Sequence, residues 1–446
     1  MDARTAAPSV VTHDADVRAS FARDASGLEM LPDAVARPTT VQEVRELLAW
    51  ASRDGISVTP AGGQSSTTGA SIAARGLVVS LRGLDRILDV DVAARTVRVE
   101  PGVMLGPLKR RLAEDGLLLA PDPTSEEDCT VGGAIACNAS GARSLRWGAT
   151  RAHVRGLTVA TIGGELLELR RPALEKNTVG YAPMHDLVDW FTGSEGTLGV
   201  IVAAELTLLP LPARVTGLAF PFPSERAALA FVADARERAT PAPRCLEYMD
   251  VRALEIARTA AADPAWAAEA AALVYAEVDG DDAPELDDWL ALAESHDAMV
   301  DDIRVYEGEG ALRDARRLRH AIPATMNERG ARRRPFGGRK VSTDWAVPYR
   351  KLGEALALAR QEIAARGLEA PVTYGHAGNG HPHQNFIAAD ADELARITDA
   401  VTATLHHVLR LGGTVAAEHG IGKLKARWLP LQVSPLSSRR AGSRCR

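Results

Sequence analysis

Two clusters of histidine and glutamate in the last quarter of the chain have the residue types for metal-assisted chemistry. His376, His381 and His383 fall within eight residues, and Glu418 is followed directly by His419. Two imidazoles and one carboxylate form a common catalytic ligand set for a divalent metal with an open coordination position. We therefore predict His376, His383 and Glu418 as metal ligands and His419 as a general base. The alternative is that these turns hydrogen-bond to backbone and bind nothing.

Basic side chains upstream of these clusters could hold an acidic substrate. Arg319 and Lys340 are the candidates, since arginine in particular binds carboxylates in a bidentate geometry. The alternative for the arginines between residues 313 and 319 is a single solvated helical face. The short run 332–334 is likewise predicted to be solvated.

Three glycine-rich segments in the first half could bind a nucleotide. Segment 60–69 follows a predicted strand and offers several N–H and O–H donors, which suits a pyrophosphate. It has neither the Gly-Lys-Ser/Thr of a P-loop nor the glycine spacing of a Rossmann fingerprint. Segment 121–141 is predicted to be a long functional loop, neither helix nor plain strand, whose glycines let main chain approach a ligand. The third segment is 193–199. An ordinary surface loop is the alternative for any one of them.

The elements around these segments predict two kinds of domain. Thr40 and Glu43 have capping-box spacing before an apolar stripe, which predicts a helix from Val41. Two strand patterns joined at Gly163-Gly164 predict a hairpin. Beyond a boundary at 210–212, strand and helix patterns alternate. This favours an α+β domain with a mainly antiparallel sheet covered by helices on one face.

Length and composition restrict the function classes. A chain of 446 residues suggests two domains, and a net charge of -6 gives no electrostatic case for nucleic acid as a partner. The four cysteines form no C-x-x-C pair, which argues against an iron–sulfur cluster. No signal core or membrane-spanning stretch is apparent. We expect a cytoplasmic protein, with peripheral attachment to the inner face of the membrane as the alternative.

In the order and spacing of its motifs, the chain resembles FAD-dependent oxidoreductases of the vanillyl-alcohol oxidase and para-cresol methylhydroxylase (PCMH) superfamily. The resemblance covers about Pro38 to Leu429 and is closest to the branch of D-lactate dehydrogenase, glycolate oxidase and D-2-hydroxyglutarate dehydrogenase. It implies an α+β fold with a two-subdomain PCMH-type FAD-binding domain at 33–212. An α+β substrate (cap) domain with an antiparallel sheet is implied at 213–430. Residues 1–32 would be an N-terminal extension and 431–446 an atypical tail.

The resemblance assigns FAD contacts to the glycine-rich segments. Residues implied to hold the pyrophosphate are Gly62, Gly63, Gln64, Ser65, Ser66 and Gly69. Residues implied to line the flavin are Pro123, Ser125, Gly132, Gly133, Asn138, Gly141 and Gly148. Residues implied near the ribose or adenine are Glu195, Gly199 and Val200. Since Gln64 stands where some relatives carry the histidine that attaches FAD covalently, non-covalent FAD is expected.

The resemblance also matches His376, His383 and Glu418 to metal ligands, with zinc as the expected ion, and His419 to the catalytic base. The implied reaction is oxidation of a short D-2-hydroxy acid, D-lactate first, to the 2-oxo acid with hydride transfer to flavin N5. Arg319 or Lys340 would meet the substrate carboxylate. Alternatives are a glycolate oxidase subunit, a D-2-hydroxyglutarate dehydrogenase, or a flavin-binding subunit without its own activity. The expected electron acceptor is a cytochrome, a quinone or an electron-transfer flavoprotein, and a homodimer is one expected assembly.

Three departures from the family pattern stand out. Asn379 and His381 replace an aspartate and an asparagine, so His381 is an alternative metal ligand. Pro323 stands where some relatives carry a substrate-binding threonine, which disfavours hydroxyglutarate. Residues 433–446 do not resemble the Asn-Pro-Gly-Lys-like end of relatives and predict a disordered or altered tail.

Overall fold

The chain folds into two compact units. The computed structural model describes residues 6–172, 174, 176, 178–179, 186–261 and 263–433. Unit 1 comprises Met1–Gly141, Gly148–Leu211 and Glu418–Arg446, and unit 2 comprises Ala142–Trp147 and Pro212–Ala417. Two features of this division were not predicted. The segment Ala142–Trp147 folds with unit 2, and the last part of unit 1 begins at Glu418. Most of the predicted tail, residues 434–446, lies outside the described residues.

Strands and helices are numbered along the chain. The strands of unit 1 are β1 (Val11–Thr12), β2 (Ala34–Ala36), β3 (Val58–Ala61), β4 (Leu77–Ser80), β5 (Ile87–Asp91), β6 (Thr96–Val99), β7 (Leu117–Leu118), β8 (Val154–Ala160), β9 (Leu166–Arg170), β10 (Val200–Thr207) and β11 (Leu209–Pro210). The strands of unit 2 are β12 (Arg214–Phe222), β13 (Cys245–Asp250), β14 (Ala272–Gly280), β15 (Arg304–Glu307), β16 (Lys340–Ser342), β17 (Val372–His376) and β18 (His381–Ile387). The helices are α1 (Ala15–Ser20), α2 (Val41–Arg53), α3 (Leu105–Ala113), α4 (Val131–Cys137), α5 (Ser144–Trp147), α6 (Val188–Phe191), α7 (Glu225–Arg238), α8 (Val251–Ala260), α9 (Asp287–Ser295), α10 (Gly308–Ala331), α11 (Leu352–Ala365), α12 (Ala391–Arg410) and α13 (Leu429–Gln432).

Unit 1 contains two main sheets. One has the order β1-β2-β4-β3, in which β4 pairs in parallel with both β2 and β3. The other is antiparallel with the order β5-β6-β10-β8-β9, and its β8–β9 pair is the predicted hairpin. Helix α2 begins at the predicted capping box of Thr40 and Glu43 and buries Leu47 and Leu48 against Leu77 of β4. These local predictions are confirmed.

The segment at 121–141 is not wholly a loop, because α4 occupies its second half. The Thr130 hydroxyl accepts a hydrogen bond from Gly133 N at 3.2 Å, and Asn138 ends the helix in the left-handed conformation with φ 48°. The prediction of no helix here is wrong. Two glycines lower the intrinsic helix propensity, but burial of Val131 and Ile135 in the unit 1 core outweighs this local preference.

Unit 2 is built on a seven-stranded sheet with the order β15-β12-β14-β13-β17-β18-β16. Every pairing in it is antiparallel, as predicted. Helices cover both faces, because Ala219 of β12 packs in the core that α8 and α10 share, while its neighbour Phe220 contacts Phe231 of α7 and Trp289 of α9. The expectation that helices cover one face is therefore wrong.

Candidate flavin cavity and histidine cluster

A cavity of about 230 Å³, open to solvent, lies within unit 1. All three glycine-rich segments contribute to its wall, as do Glu418 and His419. The FAD residues predicted from the sequence that line it are Gly62, Gly63, Gln64, Ser65, Ser66, Pro123, Ser125, Gly132, Gly133, Glu195, Gly199 and Val200. Four predicted residues, Gly69, Asn138, Gly141 and Gly148, are not part of the wall. The structure thus brings the predicted segments together around one concave space.

The glycines allow the segments to pack against neighbouring main chain. A Cβ added at Gly63 would lie 1.8 Å from the Asp128 carbonyl oxygen, and one at Gly62 would lie 2.3 Å from Thr130 Oγ1. A Cβ at Gly132 would lie 2.5 Å from Cβ of Pro101. Protein atoms already fill these directions, so the glycines shape the cavity wall through contacts within unit 1. Direct approach of these glycines to FAD stays a prediction.

Asn138 and Gly141 support the wall from outside it. Asn138 Oδ1 accepts a hydrogen bond from Arg151 N at 2.9 Å, while its backbone ends α4. A Cβ at Gly141 would lie 2.1 Å from the Asp122 carbonyl oxygen.

Among the wall residues, Cys137 has a thiol whose pKa burial raises to about 12, so it is protonated at neutral pH.

Glu195 connects two parts of the cavity wall. Its carboxylate accepts hydrogen bonds from Ile421 N at 2.5 Å and from Gly422 N at 2.8 Å. Its own backbone has φ 50°, which is uncommon for a residue with a side chain. The carboxylate therefore fixes the main chain just after His419, a role that the sequence did not reveal.

Glu418 and His419 form an acid–imidazole pair on the cavity wall. Ser140 Oγ donates to Glu418 Oε2 at 3.1 Å, and Glu418 Oε1 lies 3.3 Å from His419 Nε2. Thr68 Oγ1 donates to the His419 backbone oxygen at 3.2 Å. An imidazole oriented by a carboxylate is suited to accept a proton from a substrate hydroxyl. The predicted base therefore lies in the same cavity as the predicted FAD residues.

The three predicted histidines lie together inside unit 2. The pairing of β17 with β18 sets His376 opposite His381, and His383 follows on the same face of β18. Each is at most 5% exposed, and the ring nitrogens offered by the three lie within 4.8 Å of one another. The turn depends on Gly380, where φ is 68° and an added Cβ would lie 2.0 Å from the Val347 carbonyl oxygen.

Two buried carboxylates stand behind the histidines. Glu247 Oε1 lies 2.5 Å from His376 Nδ1, and Asp344 Oδ1 lies 3.1 Å from His381 Nε2. Glu247 also accepts from Arg319 Nε at 2.6 Å. Burial alone would raise the pKa of Glu247, but the charges of His376 and Arg319 hold it well below its ordinary value. Carboxylates commonly orient metal-binding histidines in this way, so the donor set fits a divalent metal ion.

Sequence reasoning missed both carboxylates. Glu247 offered a signal, because it is a charged residue inside the apolar strand pattern of β13 and is 2% exposed. Asn385 was missed as well. It lies two residues after His383 and is 1% exposed, and neither side-chain amide atom has a hydrogen-bond partner in the part of the chain that the structure describes.

The two predicted substrate-binding cations differ in their surroundings. Arg319 lies on α10 with its Nε committed to Glu247 and its Cζ 5.8 Å from the Tyr374 ring centroid. Lys340 Nζ donates to Asn327 Oδ1 at 2.8 Å, and burial lowers the pKa of Lys340 to about 8. The choice between Arg319 and Lys340 stays open.

Comparison with known families covers both units. Residues 32–170 match the FAD binding domain, and residues 211–439 match the C-terminal domain of FAD linked oxidases. The chain therefore belongs to the family of FAD-linked oxidases, which confirms the resemblance stated above and FAD as its cofactor.

Several relatives match over most of their length. A D-2-hydroxyglutarate dehydrogenase of Xanthomonas citri pv. viticola is 34% identical, with 89% of this chain and 83% of the relative covered. Glycolate oxidase subunit GlcD of Bacillus subtilis is 30% identical (91% and 84% covered). A D-lactate dehydrogenase of Anaerostipes hadrus is 27% identical (97% and 91% covered).

A solved structure of alkyldihydroxyacetonephosphate synthase has a similar fold. Its TM-score is 0.70 at 18% identity, with 99% of this chain and 82% of that chain covered. At this identity the similarity concerns the fold alone. No helix in the described part of the chain is long and apolar enough to cross a membrane.

Proposed function

We propose that this FAD-linked oxidase converts a short D-2-hydroxy acid, with D-lactate as the first candidate, to the corresponding 2-oxo acid. The observation that carries the proposal is the pair of Glu418 and His419 on the wall of the cavity formed by the predicted FAD residues. Removal of a hydroxyl proton needs a base of this type next to the redox cofactor. Relatives named for D-lactate, D-2-hydroxyglutarate and glycolate support the substrate class.

FAD, when bound in the cavity lined by the three glycine-rich segments, would supply the hydride acceptor for this oxidation. The side chains of the protein bind the substrate, orient the base and accept the hydroxyl proton. Glu418 orients the imidazole of His419 through Nε2, and His419 Nδ1 is the proposed acceptor of the hydroxyl proton. Arg319 or Lys340 holds the substrate carboxylate, because a guanidinium or ammonium group forms charge-assisted hydrogen bonds with an ionised acid.

A divalent ion, when bound, would lower the pKa of the substrate hydroxyl. His376 and His383 are the proposed ligands in unit 2, with His381 as an alternative to either. The nearby carboxylates Glu247 and Asp344 support this assignment, since they fix the orientation of His376 and His381. Glu418, the residue that follows unit 2 in the chain, is the proposed third ligand.

The decisive experiment is anaerobic mixing of the purified, FAD-loaded protein with a panel of D- and L-2-hydroxy acids. We expect D-lactate to bleach the flavin absorbance and L-lactate to leave it unchanged. Glycolate and D-2-hydroxyglutarate belong in the panel because relatives carry those names. If no acid reduces the flavin, or if both enantiomers do so equally, the proposal fails.

D-2-hydroxyglutarate is the second candidate substrate, because a relative with that name shares 34% identity with the chain. Pro323 lies inside α10 and has no hydroxyl to offer a second carboxylate. We expect Pro323→Thr to raise kcat/KM for D-2-hydroxyglutarate relative to D-lactate by about fivefold to tenfold, the value of one hydrogen bond. An unchanged ratio would remove Pro323 as a determinant of specificity.

A further inference from the structure

Three imidazoles of unit 2 lie side by side on the β17–β18 hairpin. Strand pairing sets His376 opposite His381, and His383 follows His381 by two residues, so the three side chains share one face of the sheet. The ring centroids of His381 and His383 are 4.5 Å apart. The ring of His376 lies 5.5 Å from that of His381 and 5.3 Å from that of His383. His381 is therefore about as close to each of the other two rings as they are to one another.

The three imidazoles are removed from solvent, since each residue is at most 5% exposed. Histidine is only intermediate in its tendency to be buried, so three histidines in contact inside one core are unusual. A divalent ion accounts for the arrangement, because a single ion can bind one nitrogen from each of three rings.

Buried carboxylates support His381 in the same way as His376. Glu247 Oε1 lies 2.5 Å from His376 Nδ1, and Asp344 Oδ1 lies 3.1 Å from His381 Nε2. Asp344 is 2% exposed, and its other oxygen accepts from Ala417 N at 3.3 Å, which fixes its position. A carboxylate on one ring nitrogen directs the opposite nitrogen to a metal. The ligand atoms would be Nε2 of His376 and Nδ1 of His381.

A hydrogen bond between histidine and aspartate does not by itself indicate a ligand. His296 Nε2 also lies 3.1 Å from a carboxylate oxygen, that of Asp234. Among the described residues, however, His296 belongs to no group of side chains that could hold a metal ion. His381 differs because two further imidazoles lie next to it.

Glu418, the third ligand in the proposed function, has a second role in unit 1. Its Oε2 accepts from Ser140 Oγ at 3.1 Å, and its Oε1 lies 3.3 Å from His419 Nε2. The carboxylate therefore contributes to the orientation of the base. The three imidazoles all belong to unit 2, so they can hold an ion without it.

We propose that His381 binds the metal together with His376 and His383, so that unit 2 holds the ion through three imidazoles. The inference rests on the metal site of the proposed function and extends its ligand set. Imidazole suits zinc, copper and nickel, whereas magnesium and calcium prefer oxygen ligands. The ion is therefore of the transition-metal class, and Glu418 completes its coordination but adds little to its affinity.

Zinc affinity should be measured on the full chain loaded with FAD, by competition with a chromophoric chelator and with magnesium as the second ion. The test variant is His381→Asn, which removes the imidazole and keeps a polar side chain. The matched control is His296→Asn, which removes a histidine of the same unit with the same 3.1 Å contact to an aspartate. X-ray absorption by the zinc-loaded parent counts the imidazole ligands without any substitution.

We expect the parent and the control to bind zinc in preference to magnesium, and His381→Asn to bind zinc at least about tenfold more weakly. Even the hydrogen-bond partners of metal ligands are worth about 10–100-fold in affinity. Glu418→Gln should lower the affinity less than His381→Asn does, and X-ray absorption should find three imidazoles.

An unchanged zinc affinity in His381→Asn, two imidazoles in the absorption spectrum, or a loss in Glu418→Gln as large as that in His381→Asn overturns the proposal. A parent that prefers magnesium or binds neither ion overturns it as well. None of these measurements needs a substrate. Failure of every 2-hydroxy acid to reduce the flavin would therefore reject the proposed function and leave the ligand assignment standing.

Discussion

The flavin cavity and the histidine cluster differ in the kinds of groups that form them. The cavity wall consists largely of main chain and small side chains, and Gly62, Gly63 and Gly132 leave no room for a Cβ. The histidine cluster consists of buried ionisable groups in pairs, such as His376 with Glu247. The first region should therefore respond to added volume and the second to lost charge.

The largest expected effect is on the rate of flavin reduction, and it should occur without a change in FAD binding. We expect His419→Ala to lower the rate of flavin reduction by D-lactate about 10²–10⁴-fold, because it removes the proposed base. FAD content should stay unchanged. Stopped-flow spectroscopy and the ratio of FAD to protein measure the two quantities. His407→Ala, which removes a histidine on α12 that pairs with Glu362 of α11, is the control. Rapid reduction in the His419 variant would refute the assignment.

The response to added volume can be tested with two neighbouring glycines. In Gly132→Ala the new Cβ would lie 2.5 Å from Pro101 Cβ, whereas in Gly133→Ala the nearest atom is Thr130 Oγ1 at 3.3 Å. We expect Gly132→Ala to lower the free energy of unfolding by about 1–3 kcal/mol and to reduce FAD retention. Gly133→Ala should stay within about 1 kcal/mol of the parent, since alanine also favours the helix. Urea unfolding and FAD content measure both; equal behaviour of the two variants would contradict the packing argument.

The response to lost charge can be tested at the carboxylate behind His376. Glu247→Gln keeps the shape of the side chain and removes its charge, so we expect the affinity for a divalent ion to fall about 10–100-fold. FAD content should not change. Glu237→Gln, which alters an exposed carboxylate paired with Arg350, is the control. Zinc titration with a chelator competitor gives the affinity. An unaltered affinity would show that Glu247 serves the fold alone.

The smallest effect decides between the two substrate-binding cations. Burial lowers the pKa of Lys340 to about 8, so its ammonium is charged below that pH and neutral above it. If Lys340 binds the substrate carboxylate, kcat/KM should fall about tenfold per pH unit above pH 8. Arg319 remains charged throughout this range. Comparing the pH profiles of the parent and Lys340→Met tests this. A profile that is the same in both proteins would favour Arg319.

Local signals in the sequence predicted much of the fold. The start of α2 was predicted from Thr40 and Glu43, and the β8–β9 hairpin from Gly163-Gly164, because both depend on residues close in the chain. Helix α4 was not predicted, because the prediction used only signals from residues close in the chain. Its glycines disfavour a helix locally, and only packing of Val131 and Ile135 against distant residues stabilises it.

The order of the glycine-rich and histidine-rich motifs was enough by itself to identify an FAD-linked oxidase, because each motif is one continuous stretch of sequence. Tertiary structure alone decided which charges meet. Glu247 lies 129 residues from His376, and Glu195 lies 226 residues from Ile421, so no local pattern could pair them. Such pairs form when strands and loops far apart in sequence are brought together, and burial then makes a single carboxylate decisive for its neighbours.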